Sequence, residues 1–444
     1  MKQYETYKDS RVEWIGEIPE HWERIKFKHI TTMMTCGHAA TPQYVEEGGK
    51  PFLSAQNIKK EDISLSVLKF VTSELHEKLT KNHKVEKGDL LQVRVGGKDT
   101  IGQTAIFNLD FDVSIYVSLA HIKLNKLAFN GYVQFLCNSI EFKNYCGVLM
   151  KKGAGVANLN VSDVEIMRIP LPPLQEQTQI ANYLNYKTEQ LDSLIAKKEQ
   201  LISLLQEERK AMINQVVTKG LDPNVPMKDS GIEWLGKIPE HWCNSNLKWF
   251  CEIYSGGTPS KNIDEYWING TVPWLNSGTV NQGNIIKPSH FITNDALNNS
   301  SAKWIPEKSL VIALAGQGKT KGMVAQVMFK ATCNQSMGII VPNERIDNRF
   351  LMYWLRNNYQ KIRNLGGGDK RDGLNLQMIG SIPIPIPPLN EQIKISNFIN
   401  KQNDDTKSLI SKIQNEINLL KEYKTALISE VVTGKVDVRE EVIN

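Results

Sequence analysis

Four glycine-rich stretches hold the residues best suited to chemistry, and that chemistry is contact with a polyanion. Gly316-Gln317-Gly318-Lys319-Thr320-Lys321-Gly322 follows the strand-like run Leu310-Val311-Ile312-Ala313-Leu314. Gly96-Gly97-Lys98-Asp99-Thr100-Ile101-Gly102 follows Leu90-Leu91-Gln92-Val93-Arg94-Val95 in the same way. A second pair, Lys151-Lys152-Gly153-Ala154-Gly155 and Gly366-Gly367-Gly368-Asp369-Lys370-Arg371, precedes Leu159-Asn160 and Leu374-Asn375. Glycine lets a backbone approach a ligand closely, and lysine and arginine beside it reach phosphates or guanine edges. Nearby amides are candidate base readers. The candidate DNA-contacting residues are therefore Gln56, Asn57, Arg94, Lys98, Lys151, Lys152, Asn276, Gln317, Lys319, Lys321, Asn334, Gln335, Lys370 and Arg371.

Catalytic readings fail on the same residues. Ala313 to Thr320 comes near a P-loop, but alanine replaces its first glycine and a turn and strand, not a helix, follow Lys319-Thr320. Pro172-Pro173 and Pro387-Pro388 lack the amide before and the aromatic after that an amino-methyltransferase would need, and no glycine fingerprint follows a strand to hold a methyl donor. The acid-x-Lys strings such as Glu208-Arg209-Lys210 lie in helical sequence with no partner acid for a metal-dependent nuclease. His21-Trp22 and His241-Trp242 read as a packed indole with a hydrogen-bonded histidine. The six cysteines form no C-x-x-C pair, so neither a zinc site nor a disulfide framework is expected. The reading is no catalytic residue, no metal, and no cofactor in this chain.

The loops must be positioned by elements that occur twice. Lys8 to Trp22 recurs as Lys228 to Trp242 with 11 of 15 residues identical, and Pro170 to Gln177 recurs as Pro385 to Gln392. A unit of about 215–220 residues is duplicated, far above solenoid periods. Within it, segments 23–168 and 243–383 share only a skeleton: Pro51-Phe52-Leu53-Ser54 corresponds to Pro273-Trp274-Leu275-Asn276. After each Pro-Pro comes a run without glycine or proline, Leu174 to Thr218 and Leu389 to Thr433. Seven-residue spacing predicts a helical seam of Ile180, Leu184, Leu191, Leu194, Leu201, Leu205 and Met212, matched by Ile395, Ile399, Leu409, Ile413, Leu420 and Leu427, with Ile410 and Ile417 widening the stripe. Such seams pair two long helices, most simply antiparallel, as a rigid spacer. Glu176 and Glu391 sit where a helix N-terminus favours an acid.

Division by repeat also resolves the charge. The chain has 444 residues, enough for two to three domains, and a net charge of only +5. Segment 23–168 holds 19 basic and 15 acidic residues, net +4; segment 243–383 holds 15 and 9, net +6; everything else is net −5. Basic excess in two separate globular segments is what contact with a polyanion at two places requires. The composition, 41% hydrophobic and 23% charged, excludes disorder, and no apolar run suits a membrane span or signal core. A cytoplasmic, reduced protein is expected.

The doubled G-x-I-P-x-H-W motif, Gly16 to Trp22 and Gly236 to Trp242, and the doubled P-x-P-P-L-x-E-Q motif resemble the specificity subunit of a type I restriction-modification system over the whole chain. The resemblance implies a mixed α/β fold of two target recognition domains, each reading half of a split site in double-stranded DNA, separated by two antiparallel, coiled-coil-like helices with pseudo-twofold symmetry. It implies a first recognition domain at 1–170, a conserved helix at 171–220, a second recognition domain at 221–385 and a conserved helix at 386–444. It further implies docking of two adenine methyltransferase subunits that hold S-adenosylmethionine, and of restriction/translocase subunits that use ATP with magnesium. The alternatives are an enzyme in its own right, a nuclease or methyltransferase of unusual motif, and a coiled-coil adaptor without a DNA role. Turnover by the purified chain would mark the first, and absence of salt-dependent duplex binding by the assembled complex the second.

Overall fold

A computed structural model describes residues 2–46, 48–59, 61–97, 99–152, 157–316, 318–366 and 373–441, apart from the side chains of Lys151, Lys152 and Ala157. The chain forms two compact units that are not consecutive in sequence. Residues 1–199 join 414–444 in the first, and 200–413 make the second.

In the first unit, an antiparallel sheet runs in the order Thr104–Ile106, Leu90–Val93, Leu119–Leu124, Thr31–Cys36. Successive residues of these strands alternate between two cores. Leu90, Ala120 and Ile122 face Phe27, Tyr132 and Leu136, whereas Leu91, Val93 and Leu119 face Leu53 and Phe107. A sheet covered on both faces needs apolar residues in both phases, which is why Leu90-Leu91 reads as a continuous run. A three-stranded sheet, Ser114–Ile115, Lys50–Leu53, Lys69–Val71, lies beside it, its first pair parallel.

The second unit repeats this plan with different residues. Its sheet runs Cys251–Ser255, Met337–Pro342, Leu310–Ala313, Val324–Val327, and adds Asn284–Ile285 at the edge. The register Val311↔Ile339 matches Leu91↔His121 in the first unit. The companion sheet is His290–Ile292, Val272–Leu275, Thr332–Cys333.

The repeated motifs frame each unit. Arg168–Leu171 pairs with Glu23–Lys26, and Pro383–Ile386 with Cys243–Asn246; both are two-stranded, so prolines there interrupt no interior ladder. The first long helix, Leu174–Lys219, and the second, Leu389–Val432, start directly after Pro173 and Pro388. Gln177 is fully buried: its amide donates to Pro172 O (2.9 Å) and Leu127 O (3.0 Å) and accepts from Phe129 N (2.8 Å). Gln392 does the same with Pro387 O, Arg345 O and Asp347 N.

The helices run antiparallel in each unit. In the first, Asp192 pairs with Lys424 (2.8 Å), Lys198 with Glu416 (2.6 Å) and Glu199 with Lys421 (3.4 Å). In the second, Arg209 donates to Asn403 (2.6 Å). Exposed ion pairs contribute little, so the seam carries the pairing energy.

That seam departs from strict seven-residue spacing. Leu194, Leu201 and Leu409 are exposed, at 41%, 43% and 44%, while Ile195, Ile413 and Ile417 are buried. The inward positions of the first helix run 184, 187, 191, 195, 198, 202, and of the second 399, 402, 406, 410, 413, 417. Each series contains one extra step of four, and the two extra steps fall at corresponding positions. An added four residues lets a 3.6-residue helix catch up with a 3.5-residue stripe. Ile195 and Ile202 therefore replace Leu194 and Leu201, and Ile410 and Ile417 belong to the seam proper. Ile180, Leu184, Ile395, Ile399, Ile413 and Leu427 are buried as expected, and Leu191, Leu205, Met212 and Leu420 are partly buried.

Candidate nucleic-acid interface

In each unit the loop that follows the central strand, Arg94 or Leu314 onward, is tied to its neighbours where the strands that feed them end. In the first unit, Arg94 N donates to Ser118 O (2.9 Å), Leu159 N to Arg94 O (2.8 Å), Tyr116 N to Leu53 O (2.8 Å) and Ala55 N to Ser118 Oγ (2.9 Å). Loops 54–57, 94–102, 116–118 and 157–160 thus share one hydrogen-bonded base. In the second unit Leu314 N donates to Ser336 O (2.9 Å), Leu374 N to Leu314 O (2.8 Å) and Asn334 N to Leu275 O (3.0 Å). These bonds tie 276–282, 314–322, 334–336 and 373–375 in the same arrangement.

The candidates do not all face outward. Gln56, Lys319 and Gln335 are exposed, and Asn276 and Asn334 are half-buried. Asn276 caps the short helical turn Ser277–Gln282 by accepting from Gly278 N (2.9 Å). Asn334 has its Oδ1 buried without a partner among the described residues. Three candidates are buried instead. Asn57 is 1% exposed, accepting from Ser54 N (2.9 Å) and donating to Ser64 O (3.0 Å). Arg94 is buried, its guanidinium donating to Leu159 O (3.1 Å) and Val117 O (3.0 Å), so it ties loops together and is not presented to a base. Lys321 is also buried, with its carbonyl accepting from Arg363 (3.0 Å). Lys98, Gln317, Lys370 and Arg371, and the side chains of Lys151 and Lys152, lie outside the described residues.

The recurring His-Trp pairs have a partner that spacing did not reveal. Trp22, fully buried, donates from Nε1 to Glu176 (3.0 Å), His21 Nε2 lies 2.8 Å from the same carboxylate, and Tyr4 donates its hydroxyl to it (2.5 Å). Burial, then the Glu176 carboxylate, holds the Tyr4 phenol far above its ordinary range. Glu391 repeats the clamp with Trp242 (3.1 Å) and His241 (2.8 Å). The helix-start glutamate therefore fastens the lead-in motif to the long helix. Glycine closes the same corner: Gly434, at φ +79°, would place a Cβ 2.3 Å from Pro19 Cδ.

The one buried acid–imidazole pair at such short range in the first unit's sheet is Asp89–His121 (2.7 Å); the second unit has Ser309 and Ile339 at the corresponding places. Burial pushes up the Asp89 carboxyl, but hydrogen bonds from His121 and Glu86 N, with Lys123 nearby, hold it below its usual value. His121 Nδ1 has no partner, so no nucleophile stands against it among the described residues. Burial also pushes the thiols of Cys146, Cys251 and Cys333 up to about 12. Among the described residues no cluster could hold a metal, and no helix is long and apolar enough to cross a membrane.

Both units repeat one α/β plan with divergent loops, each framed by the start of a long helix. The type I restriction modification DNA specificity domain matches residues 19–204 and 239–419, and the chain belongs to that family. It is 29% identical to the putative type I restriction enzyme MjaX specificity subunit of Methanocaldococcus jannaschii over 96% of each chain. It is 26% identical to the EcoKI specificity subunit of Escherichia coli K12 over 52% of this chain and 46% of that one. Two solved structures share the fold. One, from work on complex assembly and conformational transition of the type I R-M system, aligns with TM-score 0.69 at 14% identity over 94% of this chain and 99% of that one. The other, the HsdS subunit from Thermoanaerobacter tengcongensis, aligns with TM-score 0.60 at 15% identity over 94% and 98%. The protein is a non-catalytic specificity subunit with two recognition domains, which binds DNA and assembles with other subunits; the family implies no cofactor in this chain.

Proposed function

We propose that the gathered loop edge of each unit meets duplex DNA and that each unit reads one half of a bipartite, asymmetric site. The supporting observation is that four loops converge on the same backbone ties in both units while their side chains differ. In this reading 1–170 and 221–385 are the two readers, and 171–220 and 386–444 set the half-site spacing and dock partners. Gln56, Lys98, Lys151 and Lys152 contact one half-site; Asn276, Gln317, Lys319, Asn334, Gln335, Lys370 and Arg371 contact the other. Net charges of +4 and +6 on the variable segments supply sequence-independent attraction.

Two copies of the repeated frame suit two copies of one partner. The complex accordingly holds two adenine methyltransferase subunits, which bind S-adenosylmethionine, and restriction/translocase subunits, which use ATP with magnesium, in the cytoplasm. The test is binding by this chain assembled with its methyltransferase subunit. Duplexes carrying the host's methylated-adenine motif should be preferred, with affinity falling steeply in salt, and the chain alone with DNA, Mg²⁺ and S-adenosylmethionine should show no turnover. Equal affinity for duplexes with and without the motif would contradict the reading.

A further inference from the structure

We propose that Thr258 is a positioning residue that holds Gln335 to read one A·T base pair of the second half-site; this rests on the loop edge facing DNA as proposed above. Gln335 is an exposed side chain on a backbone pinned on both sides, by Asn334 N to Leu275 O and by Leu314 N to Ser336 O. Its amide oxygen accepts from the Thr258 hydroxyl. Thr258 is itself locked: Gly257 N donates to Cys333 O (2.8 Å), a Cβ on Gly256 would lie 2.1 Å from Cys333 O, and one on Gly257 2.3 Å from Ser301 Oγ.

An exposed glutamine ordinarily loses rotamer freedom when it binds, and pre-fixing removes that cost beforehand. The Thr258 hydroxyl donates to Oε1 and occupies one of its lone pairs, leaving the amide a donor and an acceptor side by side. The NH₂ group, without a partner among the described residues, then donates, while the second lone pair of Oε1 accepts. One donor beside one acceptor matches N7 and N6 of adenine. The first unit keeps the same lock with other side chains. His38 N donates to Ile115 O and Val117 N to His38 O, each 2.9 Å, and a Cβ on Gly37 would meet Ile115 O at 2.3 Å. One rigid pair of turns thus carries Thr258 and Gln335 in one reader and Ala39 and Val117 in the other, a place where chemistry changes without the backbone.

The test expresses full-length Gln335→Ala, Thr258→Val, Thr258→Ser and Lys319→Ala variants with the methyltransferase subunit and reads the genomic N6-methyladenine motif, with salt-dependent duplex binding in parallel. Gln335→Ala should relax one A·T position of one half-site, discrimination falling roughly 5- to 150-fold. Thr258→Val should relax the same position, Thr258→Ser should retain it, and melting temperatures should stay within about 2 °C of wild type. Full discrimination in Thr258→Val beside loss in Gln335→Ala overturns the positioning role, and relaxation at a G·C position overturns the base assignment. An unchanged motif in both, with a lowered salt slope in Lys319→Ala, overturns Gln335 as a reader while the loop edge stands. If Lys319→Ala also changes nothing, the edge itself is wrong.

Discussion

Replacing Glu176 by alanine should destabilise the first unit more than any equivalent change in the second. The carboxylate is 6% exposed and accepts from Trp22 Nε1 and the Tyr4 hydroxyl, both on side chains no more than 5% exposed. Removing it leaves two buried donors unpaired, at about 1–3 kcal/mol each, and takes an acid from a helix N-terminus, worth about 0.3–1 kcal/mol. A loss of about 4 kcal/mol follows, which for a unit of this size lowers the melting temperature by roughly 8–16 °C. Glu391 is the control. It receives only one buried donor, Trp242 Nε1, and its own side chain is 24% exposed, so Glu391→Ala should cost about half as much. Glu176→Gln keeps a carbonyl for Trp22 and should sit between wild type and Glu176→Ala. Differential scanning calorimetry of the purified chain reads all three. A Glu176→Ala transition within about 2 °C of wild type, or a larger loss in Glu391→Ala, would refute the clamp.

Three further outcomes follow. Ile195→Ala should cost about 2–4 kcal/mol and Leu194→Ala under about 0.5 kcal/mol, measured by denaturant unfolding, because only the former is in the seam; equal losses would restore the strict heptad. Asp89 is held below its unfolded pKa, so its pairing stabilises the fold above about pH 4 and that contribution is lost as pH falls through the depressed folded value. Asp89→Asn should therefore flatten the loss of melting temperature between pH 5 and about pH 3, and an unchanged profile would show the pairing to be inert. Lys319, exposed in the glycine loop, should on replacement by alanine reduce the slope of log affinity against log salt by about 1 if it neutralises a phosphate; relaxation of a single base position with an unchanged slope would make it a base reader instead.

The duplication was legible in sequence because eleven identical residues in fifteen leave no other reading, and it divided readers from frame. The helix starts were legible from Pro173 and Pro388. The seam was misplaced at Leu194, Leu201 and Leu409, because Leu194-Ile195, Leu201-Ile202 and Leu409-Ile410 each offer two apolar residues in a row, and only packing decides which turns inward. Asn57 and Arg94 have the right chemistry for DNA, but nothing local to them discloses that their partners are Ser64 O and Leu159 O. Glu176 shows the reverse failure. Its proximity to a helix start suggested a dipole effect, while its true partners lie 154 and 155 residues earlier. A usable signal was present, since His-Trp and the helix-start glutamate recur together in both copies.

The central claim, two independent readers on one frame, is tested most directly by exchange. Residues 23–168 are replaced with the matching segment of a relative that methylates a different motif, and the adenine-methylation motif is read genome-wide. Change confined to one half of the motif, with the other half and the spacing intact, is the predicted result. Change in both halves, or in neither, would contradict it.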